Sequence, residues 1–191
     1  MARAKQFDPE KAVERAMDLF WCQGYEATSV DDLGRHLGIG KGSFYATFGS
    51  KQALYQRALD RYRRVQGGAM VQMLERPGPL LPRLRQAFCH MVNDTMREKR
   101  GCMMGNASAE RAAVDPEAAA RVRGTFHDVE RALEAAIIRA RDAGEIAPKA
   151  EPAAVATMLM AFLEGLQIMA KVETRPGALA DAVELALATL G

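Results

Sequence analysis

Apolar residues recur along most of this chain at intervals of three and four, the spacing of one face of an α-helix. Val13, Met17 and Phe20 form a first stripe, opened by Asp8-Pro9 and closed by Gly24. Trp21 and Cys22 flank that stripe as packing residues. Ser29 stands where an N-cap belongs, Asp32 follows three residues on, and Val30, Leu33 and Leu37 continue at helical spacing. Gly38-Ile39-Gly40 is short enough to force a sharp corner. Lys41 to Phe48 then predicts a helix of about two turns. Phe44 and Phe48, four apart, face inward; Ser43, Tyr45 and Thr47 point the other way. A longer helix runs from Lys51 to about Arg76, where Arg76-Pro77-Gly78-Pro79 breaks it. Two short helices joined by a glycine-bearing turn form a helix-turn-helix, whose second helix enters the DNA major groove.

The rest of the chain is also helical in pattern. Leu81, Leu84, Phe88, Met91 and Thr95 share a face of a helix from about Leu80 to Glu98. A short helix spans roughly Cys102 to Ala113. A long one runs from Asp115-Pro116 to about Ala143, with Val122, Phe126, Val129, Leu133, Ile137 and Ala140 on one stripe, and Gly144 and Pro148 end it. Glu151-Pro152 opens a helix to about Val172 that is apolar nearly all round. Pro176-Gly177 opens the last, with Leu179, Val183, Ala186 and Leu190 inward. The stretch Val155 to Val172 contains Glu164, Gln167 and Lys171, which marks a buried helix rather than a membrane span. Such a helix must be covered on every side, and its own chain can cover about half of it. A second copy supplies the other half if the last two helices of each chain form a two-fold four-helix interface, with Gly165 and the alanines letting backbones approach.

Composition agrees with an all-α protein. The 191 residues are 49% hydrophobic and 26% charged, with β-branched and aromatic residues scarce. The net charge of +2 alone argues for nothing, but its distribution does. Residues 1–65 carry 11 Lys/Arg against 8 Asp/Glu, a balance of +3; the remainder carries 15 against 16, a balance of −1. Arg57, Arg61, Arg63 and Arg64 face solvent or phosphate, and an arm with Arg3 and Lys5 precedes the first helix. Cys22, Cys89 and Cys102 have no metal-ligand spacing and no even pairing, which implies a reducing compartment. With no signal peptide ahead of the first helix, the expected location is cytoplasmic. No paired carboxylates, Ser/His/Asp set or metal-spaced cluster appears, so the chain is not expected to be an enzyme or to hold a metal or cofactor. His36 lies on the first helix of the DNA motif; His90 and His127 are isolated.

The run FYATFGSKQAL, preceded by GYEATSVDDLGRHLGIGKGS, closely resembles the DNA-binding domain of the TetR/AcrR family of bacterial transcriptional regulators, over roughly Asp8 to Arg61. That resemblance implies a three-helix head, residues 1–54, on a helical ligand-binding and dimerisation body, residues 55–191, about nine helices in all. It places DNA contacts at Ser43, Tyr45, Thr47 and Lys51, with Ser29 and Lys41 as further candidates. Tyr45 and Lys51 would bind phosphates, Lys41 guanine O6 or N7, and Thr47 a base or a thymine methyl. Gly42 lets the backbone approach the duplex, and the small Ala46 leaves the base sequence open. The segment KRGCMMGNASAE is similar to the Gly-Cys and Ser-Ala-Glu stretch of an electrophile-sensing branch of that family, the N-ethylmaleimide repressor type. There the cysteine is the sensor and a late-helix lysine can partner it, which here implies Cys102 and Lys171. Cys102 at a helix N-terminus, just after Lys99 and Arg100, is expected to favour thiolate. Met103, Met158 and Phe162 are further effector candidates, in a body dense in methionine.

The expected function is a homodimeric DNA-binding regulator, a repressor released from a palindromic operator by a small-molecule effector or by modification of Cys102. The alternative is an architectural DNA-binding protein without an effector. The expected partners are double-stranded DNA, a second copy of the chain and a small molecule, with no membrane.

Overall fold

The computed structural model describes residues 7–147, 151–175 and 177–190. The arm bearing Arg3 and Lys5, and the helix breakers Pro148 and Pro176, lie outside those residues. Among the described residues there are ten α-helical segments and no strand: α1 Pro9–Gln23, α2 Val30–Leu37, α3 Lys41–Phe48, α4 Lys51–Tyr62, α5 Gly68–Glu75, α6 Leu80–Glu98, α7 Met103–Arg111, α8 Pro116–Asp142, α9 Pro152–Met169 and α10 Ala178–Ala188. A π turn, Arg63–Gly67, joins α4 to α5, so these two form one bent rod, here called the connector, and the fold has nine rods.

Local chemistry sets the ends of the head helices. Asp8 accepts from the Glu10 and Lys11 N–H groups and Pro9 opens α1. Ser29 and Asp32 form a reciprocal capping box on α2, and Gly38 ends α2 in the left-handed region at φ 71°. Arg15 of α1 donates to the carbonyls of His36 and Leu37, occupying orphan groups at the end of α2. Ser50 caps α4 through the Ala53 N–H.

Two cores form. The first gathers Val13, Met17, Phe20, Leu33, Phe44, Phe48 and the inner face of α4, and continues into Met103, Met104 and Ala107 of α7 and Val122 of α8. The head therefore shares its core with the body, and α4 past residue 54 still faces the head through Tyr55, Ala58, Leu59 and Tyr62. The second core lies among α5, α6, α8, α9 and α10. On α6 the buried stripe is Leu80, Leu84, Phe88, Val92 and Thr95. Leu81 and Met91, expected in the stripe, flank it. Glu145, just past α8, caps α6 by accepting from the Leu80 and Leu81 N–H groups at 2.7 Å each.

The chain covers α9 on one side. Only 44% of this helix is buried, although it is long and apolar enough to span a membrane. Met158, Ile168 and Met169 of α9 are exposed, Ile168 at 62%, as is Leu185 of α10 at 71%.

Candidate functional site

The outer face of α3 carries Lys41, Gly42, Ser43, Tyr45 and Ala46, all exposed, with Thr47 half-buried at its edge. Phe44 and Phe48 anchor the helix from beneath, Phe44 fully buried. The Tyr45 ring packs edge-on to Phe44 at 5.4 Å, which orients its phenol outward. Nothing lies within 4 Å of where a side chain on Gly42 would begin, so a phosphate or base edge can reach the backbone there. Lys41 Nζ sits 2.9 Å from Asp31, and this carboxylate raises its pKa, which keeps it cationic. Ser29 Oγ donates to Asp32 and accepts from the Asp32 N–H, holding the Asp32 carboxyl down at about 2.

Lys51 is placed differently from the expectation of a phosphate contact. Its ammonium donates to the carbonyls of Tyr25 and Thr28, both at 3.0 Å, and lies 4.0 Å above the Tyr25 ring. Two of its three donors therefore hold the turn that launches α2. Three of the four connector arginines are likewise partnered, and Arg64 is exposed. Arg57 pairs with Glu10, Arg61 with Glu14 and Arg63 with Asp128.

The same turn is gripped from the body by α7. Glu110 accepts from the N–H groups of Tyr25 and Glu26, at 2.9 and 2.8 Å, and Arg111 lies 4.4 Å over the Tyr25 ring. At the other end of α7, Trp21 Nε1 donates to the Gly101 carbonyl at 2.8 Å. The strut between these two grips borders a cavity of about 460 Å³. Trp21 of α1, Tyr62 and Met70 of the connector, Cys102, Phe126 of α8 and Glu164 of α9 are among its walls. A second depression, of about 560 Å³, lies across the connector between α5 and α8. Its Arg63 and Arg139 are committed to Asp128 and the Leu74 carbonyl, and we read it as a solvated groove.

Residues 12–58 match the family described as "Bacterial regulatory proteins, tetR family", and residues 80–186 match "Tetracyclin repressor-like, C-terminal domain". The chain belongs to the TetR family of transcriptional regulators. YezE of Bacillus subtilis, an uncharacterized HTH-type transcriptional regulator, is 33% identical over 193 residues, covering 100% of both chains. The HTH-type transcriptional repressor ComR of Escherichia coli is 29% identical over 172 residues, covering 88% of this chain and 82% of its own. Among solved structures, the TetR family regulator CifR, a cysteine mutant complexed with 26 bp of double-strand operator DNA, superposes with a TM-score of 0.86 at 26% identity over 100% of both chains. TetR-family proteins are DNA-binding regulators, not enzymes, and the expected all-α fold is the one observed.

Within this TetR-family body, the effector candidates separate. Cys102 lines the cavity; Met103, Met158, Phe162 and Lys171 do not. Met103 is buried in the head-side core, Met158 is exposed on the outer side of α9, and Phe162 packs on Phe88 in the second core. Lys171 donates to Asn106 Oδ1 at 2.5 Å. The expected thiolate at Cys102 is reversed. Burial, then the charge of Glu164, push its pKa up to about 12, against the opposing Gly105 N–H and Tyr62 hydroxyl. The two basic residues do not help it, because Arg100 stacks 4.2 Å over Trp21 and pairs with Glu98, and Lys99 is exposed.

Sequence reasoning missed the cavity's polar core. Tyr62 donates to Cys102 Sγ at 3.7 Å, and Glu164 Oε2 is buried with no hydrogen-bond partner among the described residues. Burial raises the Glu164 pKa. The available signal was a carboxylate in an otherwise apolar helix, one helical turn from Met160 and Gln167 and so on their side of α9.

Proposed function

We propose that this regulator binds a palindromic operator as a homodimer and is released when a small organic molecule fills the 460 Å³ cavity. The observation that carries the reading is the makeup of that cavity's wall. It includes Tyr62, Gln66 and Met70 of the rod that begins beneath the recognition helix, and Trp21 of the head itself. A ligand pressing on this wall bears on both supports of the head, the connector and the α7 strut, without touching DNA.

The homodimer reading is supported by the uncovered apolar side of α9 and by Leu185 of α10. A symmetric pairing there presents α3 twice, and a separation near one helical turn, about 34 Å, matches successive major grooves on one face of the duplex. Ser43, Thr47 and Lys41 then read base edges, while Tyr45, the Gly42 backbone and Ser29 meet the sugar-phosphate chain. Lys51 acts through the turn it holds. Effector and DNA select different spacings of the two heads, so each weakens the other's binding by the same factor. Repression, in the cytoplasm, is the sense of regulation favoured by similarity to ComR, itself described as a repressor. A buried thiol favours a ligand over modification of Cys102 as the signal, and a cavity of this size weighs against an architectural protein without an effector.

The test is recovery and sequencing of the fragments that purified protein retains from fragmented genomic DNA, followed by a screen for compounds that displace them. The proposal expects one enriched palindrome with half-sites about one turn apart, and displacement by a compound that competes at the cavity. Unselective retention, or no displacement by any compound bound in the cavity, would overturn it.

A further inference from the structure

The most unusual group in the body is the Glu164 carboxyl. It stands on the inner side of α9, and its Oε2 is buried and without a donor. Buried carboxylate oxygens are ordinarily paired, because leaving one bare forfeits its hydration for nothing. The surroundings satisfy it poorly: the Cys102 thiol reaches the carboxyl as a weak S–H donor, and among the described residues Oε2 has no other partner. Lys171 is near enough to act on it electrostatically but donates its hydrogen bond to Asn106 Oδ1. The Tyr62 hydroxyl donates to Cys102 Sγ. Gly105 is what makes room, since a side chain there would collide with Oε2.

The cavity around this carboxyl has a consistent character. Its charged lining is acid-rich, with Asp94, Glu98 and Glu164 against Arg100. His90 also lines it and pairs with Asp94 at the rim. The walls include the aromatic rings of Trp21, Tyr62 and Phe126. One of those rings already carries a cation on its face, the Arg100 guanidinium at 4.2 Å over Trp21. The remaining surface is thioether and aliphatic, which adapts to an irregular apolar body.

We infer that this cavity takes an apolar, ring-bearing organic cation, and that its protonated amine pairs with the Glu164 carboxylate. Resting on the effector reading above, this assigns the chemical class of the effector and gives Glu164 the role of its charge partner. The amine supplies the donor that Oε2 lacks, the aromatic walls hold the cation's flanks, and the methionines accept its body. In the ligand-free protein the bare carboxyl costs stability, as a group kept for binding does.

The test uses three probes with one bicyclic body: 1-naphthylmethylammonium, its neutral alcohol 1-naphthylmethanol, and 1-naphthoate. Each is titrated calorimetrically into the full chain, and then into the operator complex recovered as above. The expected ranking is amine, alcohol, carboxylate, with the amine at least about tenfold tighter than the alcohol. Glu164→Gln should bring the amine to the level of the alcohol, leave the alcohol unchanged, and hold or raise the thermal midpoint of the empty protein. A fall in that midpoint would mark Glu164 as structural and overturn the inference. Equal binding of amine and alcohol, tighter binding of the carboxylate, or no binding by any of the three would also overturn it, and this ranking needs no variant. The two readings fail separately. Displacement of operator by the alcohol or the carboxylate, but not the amine, keeps an effector and removes its charge. Tight binding of the amine with no change in operator affinity keeps the cation site and removes its role in release.

Discussion

The recognition face of α3 and the cavity of the body are built in opposite ways. The first comes from eight consecutive residues whose alternation of Phe44 and Phe48 inward with Ser43, Tyr45 and Thr47 outward is already a surface. The second is assembled from α1, the connector, α6, α7, α8 and α9, and no one of these segments contains it. The recognition face meets a partner that is charged, regular and always the same shape. The cavity, as an effector site, is proposed to meet a molecule whose shape the backbone does not repeat. A local surface suits the former task and a composite hollow the latter. The proposed coupling runs where they touch, at Tyr62 on the connector and at the turn held by Lys51 and Glu110.

The largest effect should come from removing the proposed pairing of two copies. Ile168→Glu places a charge on the uncovered side of α9. It is expected to yield a monomer by sedimentation and to cut operator affinity by roughly 10²–10⁴, the avidity lost with one head. Its helical content should be intact, because Ile168 packs on nothing within the chain that its exposure does not already concede. If the dimer persists, the interface lies elsewhere.

Next comes the coupling turn. Lys51→Ala removes two charge-assisted hydrogen bonds in a half-buried position, and thermal unfolding should report a loss of about 1–2 kcal/mol. Operator affinity should fall with it, while the salt dependence of binding stays near that of the wild type. A salt slope lowered by about one would return Lys51 to the phosphate contacts.

The cavity side is sharpened by its thiol. With its pKa pushed up to about 12, Cys102 should react with iodoacetamide at pH 8 at least about tenfold more slowly than the exposed Cys22, as followed by peptide mass spectrometry. The sign of the linked stability follows. The folded protein holds this proton more tightly than the unfolded chain, so the contribution is full below the ordinary thiol range and is lost as pH rises towards about 12. Rapid labelling of Cys102 in the native state would reinstate the sensor reading. The smallest effect belongs to the recognition face. Lys41→Ala should leave stability nearly unchanged, since its Asp31 pair is exposed, and should relax the preference at one operator base pair by about 1 kcal/mol, with the salt slope little changed.

This contrast also explains what could be read from the chain beforehand. Asp8-Pro9, the Ser29–Asp32 box, Gly38 and Ser50 are local signals acting within four residues, and they fix the head helices to within a residue or two. The stripes of α6, α8 and α10 were legible for the same reason. The π turn at Arg63–Gly67 was not, because it is a change in hydrogen-bond partner and leaves the helical spacing of side chains almost intact. Lys51 read as a free cation because its carbonyl partners, Tyr25 and Thr28, belong to a loop more than twenty residues away. At Cys102 the visible neighbours, Lys99 and Arg100, pointed to thiolate, while what decides its protonation, burial in the assembled body and then the charge of Glu164, comes from remote helices. Glu164 itself was visible as an exception in an apolar run, but its missing partner is a property of the assembled hollow.

The central claim is that two copies display α3 at the pitch of DNA. It is tested most directly by a spin label at Ala46→Cys, in a chain with Cys22 and Cys89 replaced by serine, read by pulsed dipolar spectroscopy on the operator complex. One intermolecular distance comparable to a helical turn is expected, about 34–36 Å plus the reach of the labels. No intermolecular signal, or a distance far from that turn, would contradict it.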